Sequence, residues 1–189
     1  MDFQKLLVKI VKILDDLKIS YAVTGGYAIS VWGRVRSTFD IDVVIEVFHL
    51  QIKSFYQALK KISRLSYVDE NSMVAAIERE SEFNFIHGES GIKIDFFIAG
   101  RDPSSKLELE RRIPKKIKGQ VVYFISPEDL ILSKLRWYQT SQSERQLQDV
   151  ESVVKIQKDK LDFNYLKKWA KVQSTYDVLK SVIKSPKER

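Results

Sequence analysis

The chain of 189 residues is 44% hydrophobic and 30% charged, with 7 Gly and 4 Pro, which bounds it to one globular domain with at most a small helical appendage and excludes a disordered or fibrous protein. It contains no cysteine, so a disulfide framework, a thiolate nucleophile and a structural zinc site are excluded, and no run of about 18 apolar residues is present to span a bilayer. The net charge of +7 is uneven: residues 1–100 sum to −1, 101–118 to +4, 119–154 to −2 and 155–189 to +6.

In chain order, Phe3, Leu6, Leu7, Ile10, Ile13, Leu14 and Leu17 recur at helical spacing and predict an amphipathic helix. Charged residues break up this stretch where a signal peptide would carry an apolar block, so a soluble, cytoplasmic protein with no membrane partner is expected. Tyr21 to Val23 predicts a short strand running into Gly25 and Gly26, and Tyr27 to Trp32 a short helix closed by Gly33. Phe39 to Val47 is the clearest strand, with Phe39, Ile41, Val43, Ile45 and Val47 on one face. Ile52, Phe55, Tyr56, Leu59 and Ile62 predict a second amphipathic helix. Residues 83–87 and 92–98 read as a hairpin turning around Gly88 to Gly91, and Val121 to Ile125 as a further strand.

From Ser126 the pattern becomes helical. Ser126-Pro127-Glu128-Asp129 offers an N-cap serine with proline at the first helical position. Ser143 to Gln146 repeats a capping pattern ahead of Leu147, Val150, Val153 and Val154, and residues 162–184 continue with Tyr165, Leu166, Trp169, Val172, Leu179, Val182 and Ile183. The expected fold is of the α/β (α+β) class: a mixed β-sheet flanked by helices over residues 1–125, followed by a helical part over 126–189 packed on it.

The chemistry centres on acids. Asp40 and Asp42 are two apart in a strand, so both point away from the apolar stripe. At roughly 6.5 Å between Cα atoms they repel by about 2–3 kcal/mol at an effective dielectric near 20, a cost that a divalent cation or a basic neighbour would offset. Mg²⁺ suits such a pair, because it binds one or two carboxylates together with substrate phosphates. A solvated sheet edge carrying charges against aggregation explains the same pair. Asp95 lies on the face opposite Ile92, Ile94, Phe96 and Ile98; if its strand lies beside that of Asp40 and Asp42, three carboxylates form a plausible cage for two divalent ions in phosphoryl transfer. Alone, Asp95 is equally a solvent-facing acid on a hairpin. Gly25-Gly26, at a strand end that opens a helix, lets backbone amides approach phosphate oxygens, and Thr24 adds a hydroxyl; a glycine pair is also an ordinary turn, and no Walker spacing is present.

His49 and His87 show no ligand spacing and read as surface or structural histidines. Trp137 with Tyr138, and Trp32 with Tyr27, could stack on a base, but aromatics at helical spacing read first as core.

Gly25-Gly26, thirteen intervening residues and Asp40-Ile41-Asp42 resemble the signature of the DNA polymerase beta-type nucleotidyltransferase superfamily. The stretch Arg36-Ser37-Thr38-Phe39-Asp40-Ile41-Asp42 further resembles the Arg-x-Thr-x-Asp-Ile-Asp run of the AbiE-type toxin nucleotidyltransferases. So do Ser126-Pro127-Glu128-Asp129-Leu130 with Lys134-Leu135, Arg145 and Asp149, and Leu161-Asp162-Phe163 with Tyr165-Leu166 and Trp169-Ala170. The resemblance implies an enzyme that moves a nucleoside monophosphate from a nucleoside triphosphate to an acceptor hydroxyl. Mg²⁺ or Mn²⁺ would sit on Asp40, Asp42 and Asp95, with Asp95 as ligand or base. Thr24, Gly25, Gly26, Lys134 and Asp149 would contact the nucleotide, and Arg36 would contact phosphate or pair with an Asp. Where the family often has a basic residue directly before the helical Asp, this chain has Gln148, and Arg145 is placed to pair with Asp149 along the helix.

The resemblance implies RNA, tRNA above all, as acceptor and a cognate antitoxin as partner, and the basic segments 101–118 and 155–189 would suit phosphate contacts. A small-molecule acceptor of the aminoglycoside or lincosamide kind, a protein acceptor, and an inactive nucleotide-binding module are the alternatives. Lysines on exposed helix faces for solubility account for the same charge.

Overall fold

The computed structural model describes residues 2–184. Contacts group the chain into two compact units: Met1–Tyr27 with Ser37–Ile125, and Ala28–Arg36 with Ser126–Arg189. The first unit holds a six-stranded mixed sheet and the second is helical. The segment 28–36, assigned by sequence to the first domain, groups with the second unit.

The first unit opens with α1 (Phe3–Asp16), whose N-cap Asp2 accepts from the Lys5 amide at 2.8 Å. Leu6, Leu7, Ile10, Val11 and Leu14 form its buried stripe. Strand β1 (Ser20–Thr24) runs directly into α2 (Gly25–Trp32), and β2 (Asp40–Glu46) follows. Helices α3 (Ile52–Lys60) and α4 (Glu70–Arg79) precede β3 (Glu82–Ile86) and β4 (Lys93–Ile98). Helix α5 (Pro103–Glu110) and the pair β5 (Ile113–Ile117) and β6 (Gln120–Phe124) complete the unit. The strand order is β3-β4-β2-β1-β6-β5. β2 pairs parallel with β4 and β1 parallel with β6, while β1/β2, β3/β4 and β5/β6 are antiparallel.

Alternation in β2 is complete: Ile41, Val43 and Ile45 are fully buried, and the side chains between them are half-exposed. Burying each such aliphatic side chain stabilises by about 1.5–3 kcal/mol, so a one-residue slip would be severely opposed, and the face on which Asp40 and Asp42 stand is fixed. β4 is held in the same way. Phe96 stacks on Phe83 of β3 at 5.0 Å and meets Phe55 of α3 edge-on at 5.3 Å, which leaves Asp95 on the opposite face.

Two features depart from expectation. Phe39 is 84% exposed and stands outside the strand, because the ladder with β4 begins at the pair Asp40–Lys93 and nothing beyond it covers the ring. Three elements of this unit, α4, α5 and β5, have no counterpart among the elements expected from the sequence. β5 is the outer edge strand, with Pro114, Lys115 and Lys116 exposed, a composition that blunts edge pairing.

The second unit contains α6 (Pro127–Ser141), α7 (Glu144–Gln157), α8 (Phe163–Val172) and α9 (Tyr176–Lys184). Ser126 caps α6 as its sequence implies, accepting from the Asp129 amide at 3.1 Å. Ser143 does not cap α7 through its side chain; its carbonyl accepts from the Gln146 amide instead. Trp32 is buried in keeping with a core aromatic, whereas Trp137 is 52% exposed, because it stands in the last turns of α6, where residues 136–141 are exposed or half-buried. No helix among the described residues is long and apolar enough to cross a membrane.

Candidate functional site

In the first unit the sheet brings Thr24, Gly25, Gly26, Asp40, Asp42 and Asp95 to one place. β2 lies between β4 and β1, so the Asp pair stands on a central strand and the sheet-edge explanation does not apply. Asp42 is in register with Thr24 of β1 on one side and with Asp95 of β4 on the other. Neighbouring strands lie about 4.8 Å apart, and two carboxylates at about that separation repel by about 3 kcal/mol at an effective dielectric near 20. Thr38, the threonine of the Arg-Ser-Thr-Phe-Asp run, fixes the strand entry by donating its hydroxyl to the Asp40 carbonyl at 3.1 Å.

The glycine turn is built against Asp42. Gly25 has φ +61°, and a Cβ there would overlap the Asp42 carboxylate. Only glycine satisfies both the left-handed backbone and that approach. The Gly26 amide, at the first turn of α2, points to Asp42 Oδ2 at 3.4 Å. In this structure the turn therefore cradles a carboxylate. Its amides and the positive end of α2 face the anionic cluster, which is the polarity that phosphate also requires.

Lys93, which no motif in the sequence marks, belongs to the same cluster. It is in register with Asp40, two residues before Asp95, and its Nζ lies 2.7 Å from Asp95 Oδ2. That hydrogen bond, with the charges of Asp95, Asp40 and Asp42, raises the Lys93 pKa against a smaller opposing effect of burial, so the ammonium stays charged. Among the described residues no group of three or more His, Asp or Glu is drawn into a geometry ready to hold a metal ion. The donor set nonetheless fits one: three carboxylates on one sheet face, all oxygen, suited to a hard divalent cation. The signal that could have found Lys93 is its spacing, since residues two apart in a strand share a face.

In the second unit Arg36, Lys134 and Asp149 come together. Asp149 of α7 is fully buried, and its Oδ2 takes Arg36 Nη1 at 3.0 Å and Lys134 Nζ of α6 at 3.5 Å. Arg34 Nη2 approaches Oδ1 at 3.7 Å and donates to Gln148 Oε1 at 3.1 Å. The partners of Asp149 thus come from α6 and the segment 28–36. Arg145, expected to pair with it along the helix, points from an exposed position, since the buried carboxylate faces the unit interior. The segment itself is pinned to α7. A Cβ on Gly33 would crowd Ser152 Oγ, and Gln157 Nε2 donates to the Trp32 carbonyl at 2.8 Å.

The acidic run at the start of α6 proves structural. The Tyr165 hydroxyl donates to Asp129 Oδ1 at 2.6 Å and the Asp162 amide to Glu128 Oε1 at 2.9 Å, so both buried acids tie α6 to α8. His87 is also structural: it is buried, with Nδ1 2.8 Å from Ser90 Oγ and Nε2 3.2 Å from Glu89. His49 is exposed.

No family model and no curated protein matches the chain. Solved structures do. An antigenic nucleotidyltransferase-like protein from Paracoccidioides brasiliensis is 21% identical, with 96% of this chain and 92% of that one covered and a TM-score of 0.59. The antibiotic-resistance factor ANT(2'')-Ia is 16% identical over 96% of this chain and 97% of its own, also with a TM-score of 0.59. The lincosamide antibiotic adenylyltransferase LnuA, with lincomycin bound, is 17% identical over 80% of this chain and 96% of its own, with a TM-score of 0.54. At these identities the likeness establishes the fold, which is nucleotidyltransferase-like.

Proposed function

We propose that the chain is a metal-dependent nucleotidyltransferase that moves a nucleoside monophosphate from a nucleoside triphosphate to an acceptor hydroxyl. The observation that carries this reading is the placement of Asp40 and Asp42 on a central strand with Asp95 in register beside Asp42. Lys93 offsets part of the repulsion among these three carboxylates, and divalent cations held there would offset the rest. Mg²⁺ or Mn²⁺ on these three residues would neutralise phosphate charge and make the acceptor hydroxyl more acidic.

Within this reading Asp40 and Asp42 are ligands, and Asp95 is the third ligand or the base that takes the proton of the acceptor hydroxyl. The acceptor oxygen bonds to the α-phosphorus, the bond from that phosphorus to the bridging oxygen breaks, and pyrophosphate leaves. Thr24, Gly25 and Gly26 serve the phosphates through a hydroxyl and backbone amides at the start of α2. Arg36 and Lys134, held by Asp149, form a group of cations of the kind that attracts phosphate.

RNA is the acceptor that the charge distribution favours, since residues 101–118 and 155–189 carry +4 and +6. The AbiE-type resemblance supports tRNA, a toxin–antitoxin or phage-defence setting, a cognate antitoxin and a cytoplasmic location. A small-molecule acceptor is the second reading. It is favoured by the likeness to an antibiotic-resistance factor and a lincosamide adenylyltransferase that each cover almost their whole length on this chain. The test is Mg²⁺-dependent incorporation from labelled nucleoside triphosphates, one base at a time, onto total tRNA, aminoglycosides, lincosamides and the protein itself. Label that disappears with Asp42→Ala supports transfer and identifies the acceptor. No label on any acceptor, with no Mg²⁺-dependent triphosphate binding by calorimetry, overturns the enzymatic reading in favour of an inactive nucleotide-binding module.

A further inference from the structure

Resting on that reading, we propose that Lys93 is a tethered counter-cation of the carboxylate cluster, which competes with the divalent ion for Asp95 and so sets how tightly the site takes up metal. Three facts converge on it. Lys93 Nζ is 2.7 Å from Asp95 Oδ2, a short charge-assisted contact. The register puts Lys93 beside Asp40 and Asp95 beside Asp42, so one ammonium and three carboxylates occupy a two-by-two block of one sheet face. Finally, the three acids are not gathered into a cage among the described residues, and Asp95, the acid on the β4 side, has one of its two oxygens held by Lys93.

The physical consequence is an exchange of cations. Without metal, the ammonium offsets part of the repulsion among Asp40, Asp42 and Asp95. When a divalent ion takes Asp95, the Lys93 Nζ must leave Oδ2, and its flexible four-carbon stem lets it do so without moving β4. Metal affinity is then lowered by the strength of the ion pair that has to be broken. An ordinary surface lysine would have no such effect, because its removal would leave metal binding unchanged or strengthen it only as far as one screened charge allows.

The experiment is titration of the full chain with Mn²⁺ by calorimetry, without nucleotide, alongside thermal melts with and without the metal. Lys93→Met is expected to bind Mn²⁺ at least about tenfold more tightly than the parent chain. It should also melt lower without metal, and recover the parent melting temperature at saturating Mn²⁺. Lys93→Arg should remain close to the parent in both readouts. If Lys93→Met does not fold, Lys93→Gln carries the same comparison. Mn²⁺ affinity in the variant that is equal to or weaker than the parent's overturns the role of Lys93 while leaving the metal site standing. Absence of Mn²⁺ binding by both folded proteins overturns the metal site and this role with it.

Discussion

At Gly25 two requirements coincide, a left-handed backbone and the absence of a side chain beside the Asp42 carboxylate. The left-handed backbone alone strains an alanine by about 1–2 kcal/mol, and its Cβ would also overlap Asp42. Gly25→Ala is therefore expected to lower unfolding stability by at least about 2 kcal/mol, measured by urea denaturation, and to displace Asp42. Asp42→Asn keeps the shape of the side chain and removes its charge. It should leave the fold intact and reduce nucleotidyl transfer by about a hundredfold or more, read from label incorporation. That the three acids would stand together beside the glycine pair could be anticipated at this scale, because it follows from residue types and strand spacing. Lys93 was not legible, and for Arg36 the sequence offered an acidic partner only in kind, without identifying Asp149. A lysine two residues before an acid is common on any solvated strand, and a partner 113 positions away leaves no local trace.

In the second unit α6, α7 and the segment 28–36 meet around the buried Asp149 carboxylate. Asp149→Ala removes the charge that compensates Lys134 and Arg36 and is expected to cost about 3–5 kcal/mol, detectable as a fall in the denaturation midpoint. In the first unit, Asp69 caps α4 by accepting from the Ser72 hydroxyl and the Ser72 amide, both at 2.7 Å. These bonds lower its pKa below 3.8. The sign follows: a carboxylate whose folded pKa is depressed stabilises above its unfolded pKa, and that contribution disappears as pH falls through the folded value. Asp69→Ala should thus melt below the parent at pH 7, with the gap closing below about pH 4 in thermal scans. Elements with a strong apolar rhythm, such as α1, β2 and β4, could be read directly. α4, α5 and β5 could not. α4 ends on Glu80 at φ 48° without a glycine stop. The hairpin joining β5 to β6 turns on Lys118-Gly119, both at positive φ, where asparagine or aspartate before the glycine would have marked it.

Across the whole molecule the positive charge lies in two separate stretches, and it separates the acceptor readings. On an RNA acceptor, raising monovalent salt from about 50 to about 200 mM should weaken binding by about tenfold or more, measured by fluorescence anisotropy with labelled tRNA. Replacing the exposed Lys115 and Lys116 by Glu should then flatten the salt slope by about one for each phosphate that is no longer neutralised. Binding of a small-molecule acceptor would not depend on Lys115 and Lys116. Mixed-sheet architecture and the position of the helical part along the chain could be anticipated from the alternation of elements. The grouping of residues 28–36 with the second unit could not, since it depends on side chains far apart in sequence.

The parallel pairing of β2 with β4 also has a temporal side. Asp42 and Asp95 are neighbours in the sheet, yet about fifty residues of chain separate them, and this long loop must close before they meet. A nascent chain emerging from the ribosome carries Asp40 and Asp42 well before it carries their partner strand. Until β4 has been synthesised and has docked, the growing polypeptide holds two of the carboxylates and not the third, so any activity that needs all three is withheld from unfinished chains by the order of synthesis itself.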